Sequence, residues 1–386
     1  MNWNGSIGFV ALCVSGLVAC SGTDSTSSTA SPEDESARGT ETNNEGAPLE
    51  GPRSSADTTG AASDTNAEPA GETSGEEGSA AKANPAILAG CALYPADNPW
   101  NRDVSADPVD TDAMSRVMPN MHPAAALHAD WGTRKEGFGM PITVVNGGAR
   151  RPMSFVASWG PSESDQQGGC SGSKFCYPIP ANALIEGGSG APHAADRHVL
   201  VLDTAGAPNN CTLYELYHSF PNGSGWTADN GAIFHLGSNA LRTDGWTSGD
   251  AAGLPILPGL VRFDEAMSGV INHAIRFTMN NTFNGYIHPA THAAGRGKNS
   301  LPPMGMRMRL KANVDVSKFT GPMRAVAVAM KKYGVILADN GSNWYISGES
   351  NDSWGSQMDT VTSQLHKLHG GDFEIVKSGS VSTKGL

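Results

Sequence analysis

From position 141 to 311 the apolar residues fall in short runs, many alternating with polar ones, and turn-forming residues separate them. Alternation with a period of two places one set of side chains on each face of a strand, so this stretch predicts half-buried strands. They are expected at 142–145, 154–157, 198–203, 212–218, 232–236, 274–278 and 306–311. The last alternates most strictly, with Met306, Met308 and Leu310 on one face and Arg307, Arg309 and Lys311 on the other. Helical spacing is rarer. Residues 264–273 carry Ala266, Val270 and Ile271 on one face, with acids at the start and His273 at the end, as the helix dipole favours. A second helix is expected at 322–333, ended by Gly334, and a third at 357–369, with Met358, Val361, Leu365 and Leu368 apolar and Gly370-Gly371 as the stop. Apolar runs at 335–338, 344–347 and 373–376 complete this region, and Asn340-Gly341-Ser342 between the first two predicts a hairpin turn. The expected fold class is mainly β, a β-sandwich-like core with an α+β C-terminal region. The connection 237–260 is too long and too apolar for a simple loop; it is expected to pack down and to be a functional segment.

Before position 85 the pattern is different. Residues 7–18 form a short apolar run closed by Leu17-Val18-Ala19-Cys20, the lipobox arrangement of a bacterial lipoprotein: a signal peptide over 1–19, and lipid on Cys20. The run is too short to remain as a spanning helix. The n-region lacks the usual Lys or Arg, a departure from the pattern. Ser21 rather than Asp follows the cysteine, which favours outer-membrane delivery where there is an outer membrane. Residues 20–84 are then almost wholly Ser, Thr, Gly, Ala, Asp and Glu, with Leu49 as the one large apolar side chain after Cys20. Such a segment cannot bury enough surface to offset chain entropy, so a disordered tether is expected, followed by a single β-rich domain over 85–386. Charge divides the same way: 13 acids against 3 bases in 21–84 give −10 of the total −12, and 25 acids against 23 bases in 85–386 give −2. The domain has no basic run, so nucleic acid is not an expected partner; a membrane through the lipid, and polysaccharide, are, with the protein a monomer.

Four cysteines remain beyond Cys13 and Cys20. An exported chain meets an oxidising compartment, so disulfides are the default, expected between Cys170 and Cys176 across a Gly/Ser loop and between Cys91 and Cys211. Zinc is disfavoured, since no CxxC pair occurs.

The segments NPWNRDVS from Asn98, DRHVLVLD from Asp196, CTLYELY from Cys211, and DGWTSGDAAGLPILPGLVRFDE from Asp244 resemble one family. So do HAIRFT from His273, PPMGMRMRLKA from Pro302 and ADNGSNWYISG from Ala338. The family is one of secreted bacterial and fungal proteins, some of which accompany carbohydrate-binding modules, and the resemblance spans nearly all of 91–376. It implies an extracellular polysaccharide context and carries over no catalytic residue.

No G-x-S-x-G, H-E-x-x-H, phosphate loop or dinucleotide fingerprint occurs, and Asp107, Asp110 and Asp112 lack the glycine and glutamate of a calcium loop. No cofactor or metal is expected. The leading candidate is Glu215, an acid among apolar neighbours whose pKa burial would raise, suiting a general acid in sugar cleavage. Asp250 and Asp264, with Glu265, are candidate second carboxyls on or beside the long connection. Trp226, Trp246 and Tyr214 are candidate stacking platforms for substrate. The alternative for Glu215 is a structural ion pair with Arg197, Arg262 or Arg276. Among the histidines, His198, His218, His235 and His288 lie at strand runs or turns, and His273 and His292 are the candidate catalytic acid–base groups. A noncatalytic glycan-binding or structural envelope lipoprotein is the competing reading.

Overall fold

Strand alternation decides which side chains meet in this molecule, and among the described residues three large sheets result, beside a two-stranded one formed by Ile87–Leu88 and Cys91–Ala92. The computed structural model describes residues 84–385; the expected signal peptide, the expected lipidation site Cys20 and the expected tether up to residue 83 lie outside the described residues. In the central sheet, Thr212–Tyr217 pairs antiparallel with both Asn230–His235 and Val199–Asp203, and Val199–Asp203 runs parallel to Ile142–Val145. A second four-stranded sheet orders Cys176–Tyr177, Arg151–Phe155, Gly225–Ala228 and Phe220–Asn222. Val199, Val201, Tyr214 and Leu216 point from the central sheet into a core shared with Met153, Phe155, Tyr177 and Trp226 of the second. These two sheets are the expected sandwich.

The third sheet has six strands in the order Phe373–Ile375, Arg307–Leu310, Val335–Asn340, Ile275–Met279, Tyr345–Ser350 and His128–Gly132. Helices Pro322–Lys332 and Met358–Leu365 pack against it. The other face of the central sheet, carrying Leu200, Leu202 and Leu213, joins a core that also holds Phe277, Ile346 and the loop residues Leu254, Ile256, Leu257 and Leu260. The second half of the long connection, 247–260, is thus packed between sheets, whereas 237–246 is exposed or half-buried, contrary to the expectation for the whole segment. Each such Leu or Ile contributes roughly 1.5–3 kcal/mol by burial. Gly259 is required here, because a Cβ would come within 2.7 Å of the Trp100 ring. Trp100 fills the core at 1 % exposure.

Several expectations are corrected. The turn after Val335–Asn340 does not make a hairpin, because Ile275–Met279 inserts between that strand and Tyr345–Ser350. Arg307 and Arg309 do not face solvent: Arg307 donates to the carbonyls of Tyr333 and Arg102, and Arg309 pairs with Glu374 at 2.8 Å. The helix expected at 264–273 is Phe263–Ser268, ended by Gly269 at φ +85°, so His273 lies beyond it. Of the disulfides, Cys91–Cys211 forms. Cys170 and Cys176 are free thiols; the Cys176 sulfur donates to the Ser173 carbonyl at 3.4 Å, within a tight turn that bridges Cys170 to Ser173.

Candidate functional site

One face of the six-stranded sheet is polar at its centre. Arg276 and Thr278 project from Ile275–Met279 to that face, while Phe277 turns to the opposite one and stacks 5.3 Å from Trp344. Ser347 lies opposite Asp130 in the adjoining strands and shares the Arg276 face, because Ile346 is the residue paired with Phe277. Asp339 reaches the same face through a bulge. Leu337 pairs with Phe277 and Asp339 with Thr278, so Ala338 is the extra residue that turns the carboxyl towards Arg276.

Opposite this face stands the central sheet with Glu215, His198 and Tyr217, and the loop from Gly249 to Leu257 fills the space between. Arg276 grips Asp250 through two nitrogens, one at 3.2 Å, and donates to Ser347 Oγ at 2.6 Å. Its third contact is Asp339 at 3.6 Å. Asp250 is fully buried, and removing either partner of such a buried pair costs about 3–5 kcal/mol. His198 links the layers: Nδ1 meets Glu186 at 2.7 Å and Nε2 meets the Gly249 carbonyl at 2.9 Å. Tyr217 donates its hydroxyl to Asp196 at 3.4 Å.

These acids are held at unequal proton affinities. Burial, helped by the Asp250 charge and opposed by Arg276, pushes Asp339 up to about 8. Burial, helped by Glu186 and opposed by Arg276, brings Asp130 to about 6. Both remain partly open to solvent, the Asp339 side chain at 23 % exposure. Burial also raises Asp250, with Arg276 opposing. For His198 burial disfavours the charge, but Glu186 prevails and the imidazole is pushed up to about 10. Near neutral pH the site therefore holds a protonated Asp339, an ionised Asp130 and an imidazolium–carboxylate pair.

The residues singled out from sequence separate under this geometry. Glu215 is at the junction but fully buried, and none of the three arginines proposed as partners bonds to it. Its carboxyl accepts the backbone N–H groups of Ile256 at 2.9 Å and Leu257 at 3.2 Å. Burial raises it to about 8, with those N–H groups opposing. It anchors the loop that presents Asp250, a positioning role. His292 supports the same loop from behind, its Nδ1 2.7 Å from the Ala251 carbonyl. Asp264 and His273 lie elsewhere: Asp264 is an exposed partner of Arg262, and His273 is buried with Nε2 2.8 Å from Glu265. His218 pairs with Asp229, His288 with Asp244, and His235 is exposed. Two platforms are corrected: Trp226 and Tyr214, 2 % and 4 % exposed, point into the sandwich core and offer no face to a ligand. Trp246 is half-buried, with the Arg242 guanidinium 5.7 Å from its ring.

Asp130, Glu186, Asp196 and Asp339 were not singled out from sequence. Asp339 carried the one usable signal, an acid closing the apolar run Val335-Ile336-Leu337-Ala338. Two surface cavities lie away from this junction, one lined by Lys311, Lys318 and Phe319, the other by Phe283, Ile287 and Val381. Among the described residues no three metal-ligating side chains converge, and no helix is long and apolar enough to cross a membrane. In comparisons with known proteins no family model, no curated protein and no solved structure matches this chain.

Proposed function

We propose that the protein is a lipid-anchored, extracytoplasmic enzyme that cleaves polysaccharide by acid–base catalysis at the junction of the central and six-stranded sheets. The observation that carries this reading is the pair Asp339 and Asp130. Both lie on one sheet face and are open to solvent, and their environments hold one at about 8 and the other at about 6. Carboxyls pushed apart in this way take different roles, one as a proton donor and the other as a charged acceptor. Asp339, carrying its proton at neutral pH, protonates the glycosidic oxygen as the sugar departs and water adds to the anomeric carbon; ionised Asp130, three strands away on the same face and so too distant to act on the same bond, accepts hydrogen bonds from hydroxyls further along the polysaccharide. Arg276 and Asp250 fix Asp339, and Trp246 is the remaining aromatic platform for a sugar ring. Hydrolysis is favoured over elimination, because a lyase needs a free cation for the uronate carboxylate. Arg276 is already committed to Asp250, Asp339 and Ser347. The polysaccharide context rests on the sequence resemblance, and the envelope location on the lipobox at Cys20.

The test is to incubate the full chain with plant, fungal and bacterial polysaccharides and assay new reducing ends. Release that disappears in Asp339→Asn and in Asp130→Asn, both with wild-type circular dichroism, supports the enzyme. Retention on an insoluble glycan without turnover would replace it with a noncatalytic binding module, and an unsaturated product would replace hydrolysis with elimination.

A further inference from the structure

At the outer edge of the six-stranded sheet two imidazoles meet edge to face, joined to each other by one hydrogen bond and, among the described residues, to no other side chain by one. His128 opens the edge strand His128–Gly132, and His366 follows the last turn of the helix Met358–Leu365. His128 Nδ1 and His366 Nε2 stand 3.3 Å apart, with the ring planes at 71°. The two nitrogens share a hydrogen bond across that separation, so one proton lies between the rings, and an ion that binds both must displace it. The separation equals the bite of two ligands on one tetrahedral ion: with zinc–nitrogen bonds of about 2.0–2.1 Å, the tetrahedral angle sets the nitrogens about 3.3 Å apart. We infer that His128 and His366 form a two-imidazole clamp for a divalent transition ion of the zinc type, completed by water or by an incoming ligand.

Both ligands come from rigid elements, the condition for a preorganised site. The His128 ring is stacked 4.9 Å from Tyr345 at an interplanar angle of 27°, and its backbone N–H donates to the Trp344 carbonyl at 3.0 Å. His366 is held by its own N–H to the Thr362 carbonyl at 3.1 Å, and its ring is exposed, so an ion enters from solvent. The remaining nitrogens, His128 Nε2 and His366 Nδ1, have no hydrogen-bond partner among the described residues, leaving each ring free to present the converging nitrogen as the neutral ligand. Imidazole selects zinc, copper or nickel over magnesium or calcium, which take oxygen ligands. With two protein ligands the site is a weak, exchangeable one, and it stands independently of the acid–base reading above. His128 lies two residues before Asp130 on the same face of the same strand, so a bound ion sits at the margin of the carboxyl site.

The experiment is calorimetric titration of zinc chloride into the full chain in a Cys170→Ser/Cys176→Ser background, which removes the two free thiols as rival ligands elsewhere in the fold. The expected result is one ion bound per chain. Affinity then falls roughly tenfold or more in His366→Ala, an exposed substitution that spares the fold, and similarly in His128→Gln. His235→Ala, at an exposed histidine distant in sequence, leaves the titration unchanged. Cobalt(II) gives the second readout: visible absorption of tetrahedral form in the parent, lost in His366→Ala. The inference is overturned if the parent takes up no zinc, or if it takes up zinc equally well without His366.

Discussion

Burial assigns the acids of this protein their separate tasks. Glu215 has no solvent access and spends its lone pairs on the Ile256 and Leu257 N–H groups, whereas Asp339 and Asp130 keep an opening to water. The consequence for stability has a definite sign. An unfolded glutamate releases its proton near about 4.3, while folded Glu215 holds its proton up to about 8. Its contribution is complete below the unfolded value and is lost as pH rises through the folded one. The slope between is roughly 1.4 kcal/mol per pH unit. Asp339 has the same sign. Chemical denaturation of Glu215→Gln is therefore expected to show a shallower loss of stability between pH 5 and about 8 than wild type shows. Parallel curves would mean that Glu215 does not hold a proton in the fold. The burial of Glu215 was legible in the sequence, from the apolar residues around it. Its partners were not, because they are backbone donors of a loop some forty positions away, and donors common to every residue leave no signature.

At the scale of elements, short apolar runs were the reliable guide, and edges and the facing of alternate residues were the weak points. Thr212–Tyr217 and Val199–Asp203 could be read directly, as short runs of Val, Leu and Tyr buried on both faces. His128–Gly132 could not, because a short edge strand containing His, Asp and Gly lacks such a run. The site suffered most from this, for Asp130 comes from that strand, and Asp339 reaches its face only through the bulge at Ala338. Trp226 shows the opposite failure: as a tryptophan it was a candidate platform, yet its strand pairs inside the sandwich and buries the ring. Trp226→Ala is expected to cost about 3–5 kcal/mol in denaturant unfolding while leaving glycan retention unchanged. Trp246→Ala is expected to do the reverse. A Trp226 variant of normal stability and weakened retention would restore the platform.

At the scale of the molecule, the Cys91–Cys211 bridge ties the short N-terminal strand Cys91–Ala92 to the central sheet across 120 residues of chain. Closing a loop of that length restricts the unfolded chain by about 4–5 kcal/mol, so Cys91→Ala/Cys211→Ala is expected to lower the melting temperature markedly. Calorimetry showing no shift would mean that the cross-link does not constrain the unfolded state. With the tertiary frame fixed in this way, two sheets and the packed loop between them create the largely buried junction in which carboxyls separate in proton affinity. That separation is the centre of the account, and carbon NMR of protein labelled at aspartate carboxyls measures it without a substrate. The account predicts one aspartate titrating near pH 8 in wild type, absent from Asp339→Asn, and another near pH 6, absent from Asp130→Asn. Aspartates that all lose their protons below about pH 5 would contradict it.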